Sequence, residues 1–236
     1  AHEPTGGGGG GGGDDPLEQL SAVCKDLGSS DWATRRDAVA ALVELVKAHG
    51  ELLVAKGKLL ALFDALTPRL TDSNSKVNVL ALQSLQQLIP KLRDGMPSVA
   101  ATLVPALAAS FASSNAQVRS MTPAVFDALV AEVDHSALIQ PFASCVLYSP
   151  PKARPIMIDR LRELSCALYP TKPQLVTKHA LPAAFRLVEE PRAELRACTT
   201  LLLRALHTLL GEALIEHSQK APAAVQGRIS EMLQLV

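Results

Sequence analysis

An apolar signal that returns roughly every 40 residues governs what this chain can fold into. Thr34, Val77, Val118, Ile156 and Leu195 are each followed eight positions later by a large apolar residue: Leu42, Leu85, Phe126, Leu164 and Leu203. Eight positions span just over two helical turns, so each pair shares one helix face. The openings are separated by 43, 41, 38 and 39 residues. That spacing has room for two helices and their turns, and a unit so small cannot bury its apolar face alone. Stacking neighbouring units is the way such a face becomes a continuous core.

The period fits helical repeats of the HEAT and armadillo type, ~40–47 residues each. The expected fold is all-α, an α-solenoid of about six HEAT repeats. A first helix is announced by Asp14-Asp15-Pro16, an acidic cap with proline in the first turn, followed by Leu17, Leu20, Val23 and Leu27 at helical spacing. The first helices of later repeats are read at Leu59 to Leu70, Ala100 to Phe111, Leu138 to Leu147 and Leu181 to Leu187. Pro68, Pro105 and Pro182 fall within them and predict kinks. After Gly211, the stretch Glu212 to Val236 has room for a shorter terminal pair. The apolar content is mostly Ala, Leu and Val with 3% aromatic residues, which favours stacked helices over a β-sandwich.

Several function classes lose support at this stage. Lys plus Arg equals Asp plus Glu, 23 against 23, so no overall basic field points to nucleic acid or an anionic membrane. No apolar run reaches the ~20 residues of a membrane span, and Leu201-Leu202-Leu203 is broken by Arg204. Cys24, Cys145, Cys166 and Cys198 form no C-x-x-C and lie near no histidine pair, which points to buried free thiols in a reducing compartment. The six histidines share no metal-binding spacing, and no serine lies in G-x-S-x-G. Neither an enzyme, a cofactor nor a metal is expected. The run Gly6 to Gly13 follows no strand and contains no G-K-[ST], so residues 1–13 read as a flexible linker and 14–236 as the repeat domain, excised from a longer protein.

A solenoid projects its intra-repeat turns in a row, and that row is where recognition is expected. The first turn, Ser29-Ser30-Asp31-Trp32, carries the single tryptophan of the chain, followed by Arg35 and Arg36. A large ring in a polar turn has the character of a partner-binding anchor. The second turn is Asp72-Ser73-Asn74-Ser75-Lys76, and the third Ser113-Ser114-Asn115-Ala116-Gln117 with Arg119. The fourth is Ser149-Pro150-Pro151-Lys152-Ala153-Arg154, and the fifth Glu189-Glu190-Pro191-Arg192-Ala193-Glu194 with Arg196. Arg35 and Arg36 could contact the partner, but one of them is expected to pair with Asp31 or Asp37 at the helix start, and Arg196 with Glu190 or Glu194.

Six HEAT-type repeats, a first turn of the form S-x-D-W-x-x-R and basic residues in later turns resemble the TOG domain, on the crescerin or CLASP side of that family. The resemblance covers Asp14 to Val236. It implies a domain of a multi-TOG protein, monomeric by itself, that binds αβ-tubulin or the microtubule through its intra-repeat turns. The implied setting is the cytoplasmic cytoskeleton, with the cilium as the subfamily's place. Carried over by position, Trp32 is the β-tubulin anchor, Lys76 and Val77 belong to the second turn, and Asn115, Gln117 and Arg119 to the third. Lys152 and Arg154 of the fourth turn and Arg192 and Arg196 of the fifth would reach α-tubulin. This sequence departs from the family in a third turn with Asn115 and Gln117 where a basic residue is common, and in the prolines around Lys152. The rival expectations are a HEAT scaffold that holds another protein or peptide on its helical face, and a structural TOG domain that binds no tubulin.

Overall fold

The computed structural model describes residues 15–234. The linker expected at 1–13 lies outside the described residues. Among the described residues all regular structure is helical, arranged as six successive pairs. The first two pairs are α1 (Pro16–Leu27) with α2 (Trp32–Ala55), and α3 (Leu59–Leu66), prolonged by a 3-10 segment Thr67–Thr71, with α4 (Ser75–Leu92). The next are α5 (Ala100–Ser110) with α6 (Ala116–Glu132), and α7 (His135–Tyr148) with α8 (Arg154–Leu168). In the fifth, α9 (Pro173–Leu175), a π-type segment Val176–Ala180 and α10 (Leu181–Val188) run together against α11 (Ala193–Leu210). The short pair α12 (Glu212–Ser218) and α13 (Ala223–Leu233) ends the stack.

The repeat register is that of the sequence. Each opening, Thr34, Val77, Val118, Ile156 and Leu195, is the third residue of its second helix. The residues eight further on, Leu42, Leu85, Phe126, Leu164 and Leu203, are all buried. Asp15 caps α1 by accepting from the Leu17 N–H at 3.0 Å, with Pro16 as the first helical residue. Two of the three prolines mark changes of helix type: the α-helix tightens to 3-10 at Pro68, and Pro182 follows the π-type segment. Proline has no N–H for the α-helical ladder, so the chain reorganises around the lost bond. Pro105 is accommodated inside α5. The cysteines are all free, but only Cys145 is buried; Cys24 and Cys198 are half-buried and Cys166 is exposed, because α1, α8 and α11 turn those positions toward the rim of the core.

The second helices pack against one another along the stack, α2 on α4, α4 on α6, then α8 on α11 and α11 on α13. Between α6 and α8 direct packing is sparse, and the junction is carried by α5 on α7. Three rings fill it. Phe111 stacks on Phe126 with centroids 5.7 Å apart, and Phe126 meets Phe142 of α7 edge-on at 5.6 Å. Phe126, fully buried, thus adds a ring bridge to the α5–α7 packing and the Arg160–Asp127 ion pair that join the first three repeats to the last three.

At Gly211, φ 57° and ψ −133°, the chain leaves α11 and enters α12 at 118° to it. This backbone region is essentially restricted to glycine. Gly211→Ala is expected to lower the unfolding free energy by about 1–3 kcal/mol, measured by urea denaturation. A midpoint equal to that of the parent chain would show that the turn relaxes without strain.

Candidate functional site

Asx residues organise the first three intra-repeat turns. Asp31 accepts from the Thr34 N–H at 2.9 Å, Asn74 from the Lys76 N–H at 2.9 Å and Asn115 from the Gln117 N–H at 2.8 Å. Each cap satisfies one of the free donors at the start of a second helix and fixes the direction of the chain there. The Thr34 N–H and hydroxyl, which both donate to Asp31, hold its exposed carboxyl below the usual carboxylate range. Asn115, expected as a partner contact, therefore has its side-chain oxygen committed to its own helix.

In the first three repeats the fourth residue of the second helix ties back to its own turn or first helix. Arg35 donates from one nitrogen to the carbonyls of Ser29 and Ser30, at 2.9 and 3.0 Å. Arg119 does the same to Ser113 and Ser114, at 2.7 and 2.8 Å. Asn78 donates to the carbonyl of Leu70. In the fourth repeat Met157 holds this place, and Arg154, three residues earlier, donates to the carbonyl of Val146 at 3.0 Å. These are otherwise the orphan acceptors at the ends of the first helices.

Charged side chains then join one turn to the next. Arg35 grips Asp72 of the second turn with two hydrogen bonds of 2.7 Å, and Arg69 adds a third at 2.9 Å. The Arg35 and Asp72 side chains are only 8% and 1% exposed. Burial alone would push the Asp72 carboxyl up, but the Arg35 hydrogen bonds, the Asn74 N–H and the Arg35 and Arg69 charges together hold it down. Of the two arginines after Trp32, one was expected to pair with Asp31 or Asp37: Arg36 takes Asp37, at 2.7 Å, and Arg35 reaches across to the next repeat. On the other half, Arg154 pairs with Glu190 at 2.5 Å, joining the fourth turn to the fifth. The Arg154 hydrogen bond also holds the Glu190 carboxyl low.

Trp32 begins α2, half-buried, with its inner part against the core. The Arg36 guanidinium carbon and the Lys76 ammonium each lie 5.4 Å from its ring centre. Two cations at that range interact with the π face and hold the indole in place. A cleft lined by Arg36, Lys76, Val79, Asn115 and Gln117 runs on from there to the third turn. The structure thus brings Trp32, Lys76, Asn115 and Gln117 onto one continuous surface.

The remaining expected residues divide. Lys152 is exposed. Arg192 is half-exposed, 3.6 Å from Glu190, and Arg196 is exposed and bound to Glu231 of α13 at 2.6 Å, in place of the Glu190 or Glu194 expected for it. Val77 is fully buried in the core, as are Val118 and Leu195 at the same place in their helices. Arg154 is 8% exposed and has its donors on Val146 and Glu190, so it presents no open guanidinium at the surface. The Arg35–Asp72 and Arg154–Glu190 pairs and the Arg36 contact with Trp32 were not read from the sequence. The available signal for the two pairs was an acid, Asp72 or Glu190, in the turn that follows each of these arginines.

No family model matches the chain. It aligns over 231 residues, 94% of its length, with the TOG array regulator of axonemal microtubules protein 1 of Mus musculus, at 28% identity, and spans only 13% of that relative. Among solved structures, one described as "TOG-tubulin binding specificity promotes microtubule dynamics and mitotic spindle formation" superposes with a TM-score of 0.67 at 16% identity, covering 93% of this chain and 87% of the other. Another, "Crescerin uses a TOG domain array to regulate microtubules in the primary cilium", gives 0.62 at 17% identity over 92% of this chain and 89% of that one. By its six helix pairs and these likenesses, the chain has the HEAT-repeat solenoid fold of TOG domains and is similar in sequence to a TOG-array regulator of axonemal microtubules.

Proposed function

We propose that the chain binds αβ-tubulin through its row of intra-repeat turns, as one domain of a longer, multi-TOG microtubule regulator of the cytoskeleton or cilium. The observation that carries this reading is Trp32, half-exposed at the first turn and flanked by Arg36 and by Lys76 of the second turn. The names of the similar proteins, a TOG-array regulator of axonemal microtubules and a crescerin of the primary cilium, support the partner and the place.

The roles follow from the side chains. Trp32 supplies apolar area that association removes from water. Lys76, Lys152, Arg192 and Arg196 supply positive charge along the row, which steers an acidic partner and fixes register. Gln117 offers donor and acceptor groups in the third turn. Asn115, Arg119 and Arg154 act from behind, holding the turns in shape, and Val77 packs beneath them. A preformed edge loses little conformational entropy on binding. Several such domains on one parent would raise the local tubulin concentration by linkage, which suits either promoting polymerisation or stabilising the lattice.

The test is the affinity of αβ-tubulin for the chain and for Trp32→Glu, at low and at moderate salt. The substitution is expected to weaken binding at least about 30-fold, the loss of one hot-spot side chain of about 2 kcal/mol. Added salt should weaken the parent chain's binding as well. Absence of binding by the parent chain at low salt would overturn the tubulin reading.

A further inference from the structure

The fourth turn differs from the other four in the way its chain enters the helix. Ala153, before α8, is already helical at φ −81° and ψ −32°, where Asp31, Asn74, Asn115 and Arg192 are extended, and Ser149-Pro150-Pro151-Lys152 carries the chain across from α7. We propose that Ser149 is a phosphoacceptor for a proline-directed protein kinase, and that its phosphate weakens partner binding at this edge. The second half of that statement rests on the tubulin reading above; the first does not.

The chain contains three Ser/Thr-Pro dipeptides: Thr67-Pro68, Thr122-Pro123 and Ser149-Pro150. Thr122 is fully buried within α6, with its hydroxyl donating to the carbonyl of Val118 at 2.8 Å. Thr67 is buried where α3 tightens into its 3-10 extension. A hydroxyl on a buried helical face cannot reach a kinase's catalytic base or the γ-phosphate of ATP, because both require the acceptor in the open. Ser149 is half-buried, neither enclosed nor helical, with extended backbone, φ −70° and ψ 161°, just past the end of α7. Its neighbours Tyr148, 71% exposed, and Pro151 and Lys152 are all open to solvent. A proline at the next position cannot donate a backbone hydrogen bond, so an extended Ser-Pro step fits a site with no acceptor there. The Lys152 ammonium, three residues after Ser149, offers a cation to an acidic kinase surface.

In the reaction the Ser149 hydroxyl attacks the γ-phosphorus of ATP. The Oγ–P bond forms as the bond to the β-phosphate oxygen breaks, ADP leaves, and the hydroxyl proton passes to the kinase's base. The product carries ≈ −1.5 to −2 charges at neutral pH. It stands in the same turn as Lys152 and next to Tyr148, whose ring lies 5.6 Å from the Arg186 guanidinium and whose hydroxyl accepts from it at 2.9 Å. The phosphate would draw Lys152 and Arg186 to itself and turn the fourth turn from a cationic surface into an anionic one.

The experiment treats the full chain with Mg-ATP and a proline-directed kinase that favours a basic residue at the third position beyond the acceptor, with Ser149→Ala as the control. Site-resolved mass spectrometry and tubulin affinity are both read. The expected result is one phosphate on Ser149, none on Ser149→Ala, and at least about fivefold weaker tubulin binding after phosphorylation only in the parent chain. Phosphate at Thr67 or Thr122 with none at Ser149 would overturn the proposal, as would no incorporation. Full phosphorylation at Ser149 with unchanged tubulin affinity would overturn its regulatory half. Phosphorylation at Ser149 in a chain that never binds tubulin would support the modification site and sink the tubulin reading instead.

Discussion

Phe126→Ala is expected to lower the unfolding free energy by about 3–5 kcal/mol, measured by urea denaturation at neutral pH. The ring is fully buried, and it touches Phe111 on one side and Phe142 on the other. Truncation removes its transfer free energy and leaves a void that stacked helices refill only in part. The site matters more than its size because α6 and α8 barely pack on each other, so the contact of α5 with α7 and these rings carry the join between repeats three and four. In a solenoid the interface between neighbours is a stability term of its own, and weakening one can split a single transition into two. Phe126→Leu, which keeps much of the volume, should cost under about 1.5 kcal/mol. Equal losses for the two variants, or a loss below about 1 kcal/mol for alanine, would show that the ring is not the hub of the join. Turns one to three and four to five lie on opposite sides of that join, so the alanine variant should bind tubulin more weakly with every edge residue intact.

Asp72→Ala is expected to cost about 3 kcal/mol, again by urea denaturation. The carboxylate, 1% exposed, receives Arg35 at 2.7 Å through both oxygens and Arg69 at 2.9 Å. Removing it leaves the buried Arg35 charge without its counter-charge, which costs more than the pair gains over an apolar replacement. The lowered carboxyl also sets a pH dependence. A group whose folded pKa lies below its unfolded value contributes its stability in full above the usual carboxylate range. That contribution is lost as pH falls through that range, below about pH 4, toward the folded value. Stability should therefore fall from pH 7 to pH 3, and Asp72→Asn should show a smaller fall than the parent chain. Asp31, Asp134 and Glu190 are shifted the same way and will keep some acid sensitivity in the variant. An identical pH profile for the two chains would remove Asp72 from the account. The same substitution frees the second turn from the first, so Lys76 would lose its place over Trp32.

The sequence by itself determined the fold and which residues stand in the intra-repeat turns. The interval from Thr34 to Leu195 set the repeat, because burial of one helix face demands apolar residues at helical spacing, and that demand is local. It also put Trp32 in a turn and Lys152 and Arg192 in the matching turns, since topological position follows from counting residues along the repeat. The division of labour among the basic residues was decided by the tertiary structure. Arg35 and Arg119 have the same local setting, yet only Arg35 has an acid brought to it, 37 residues away in the chain. Arg154 looks like any surface arginine until the stacking of repeats four and five closes Glu190 over it. The reason is physical. Helix formation and apolar periodicity are read within a few residues, whereas an ion pair between repeats exists only once the rotation of one helix pair on the next has set which side chains face each other.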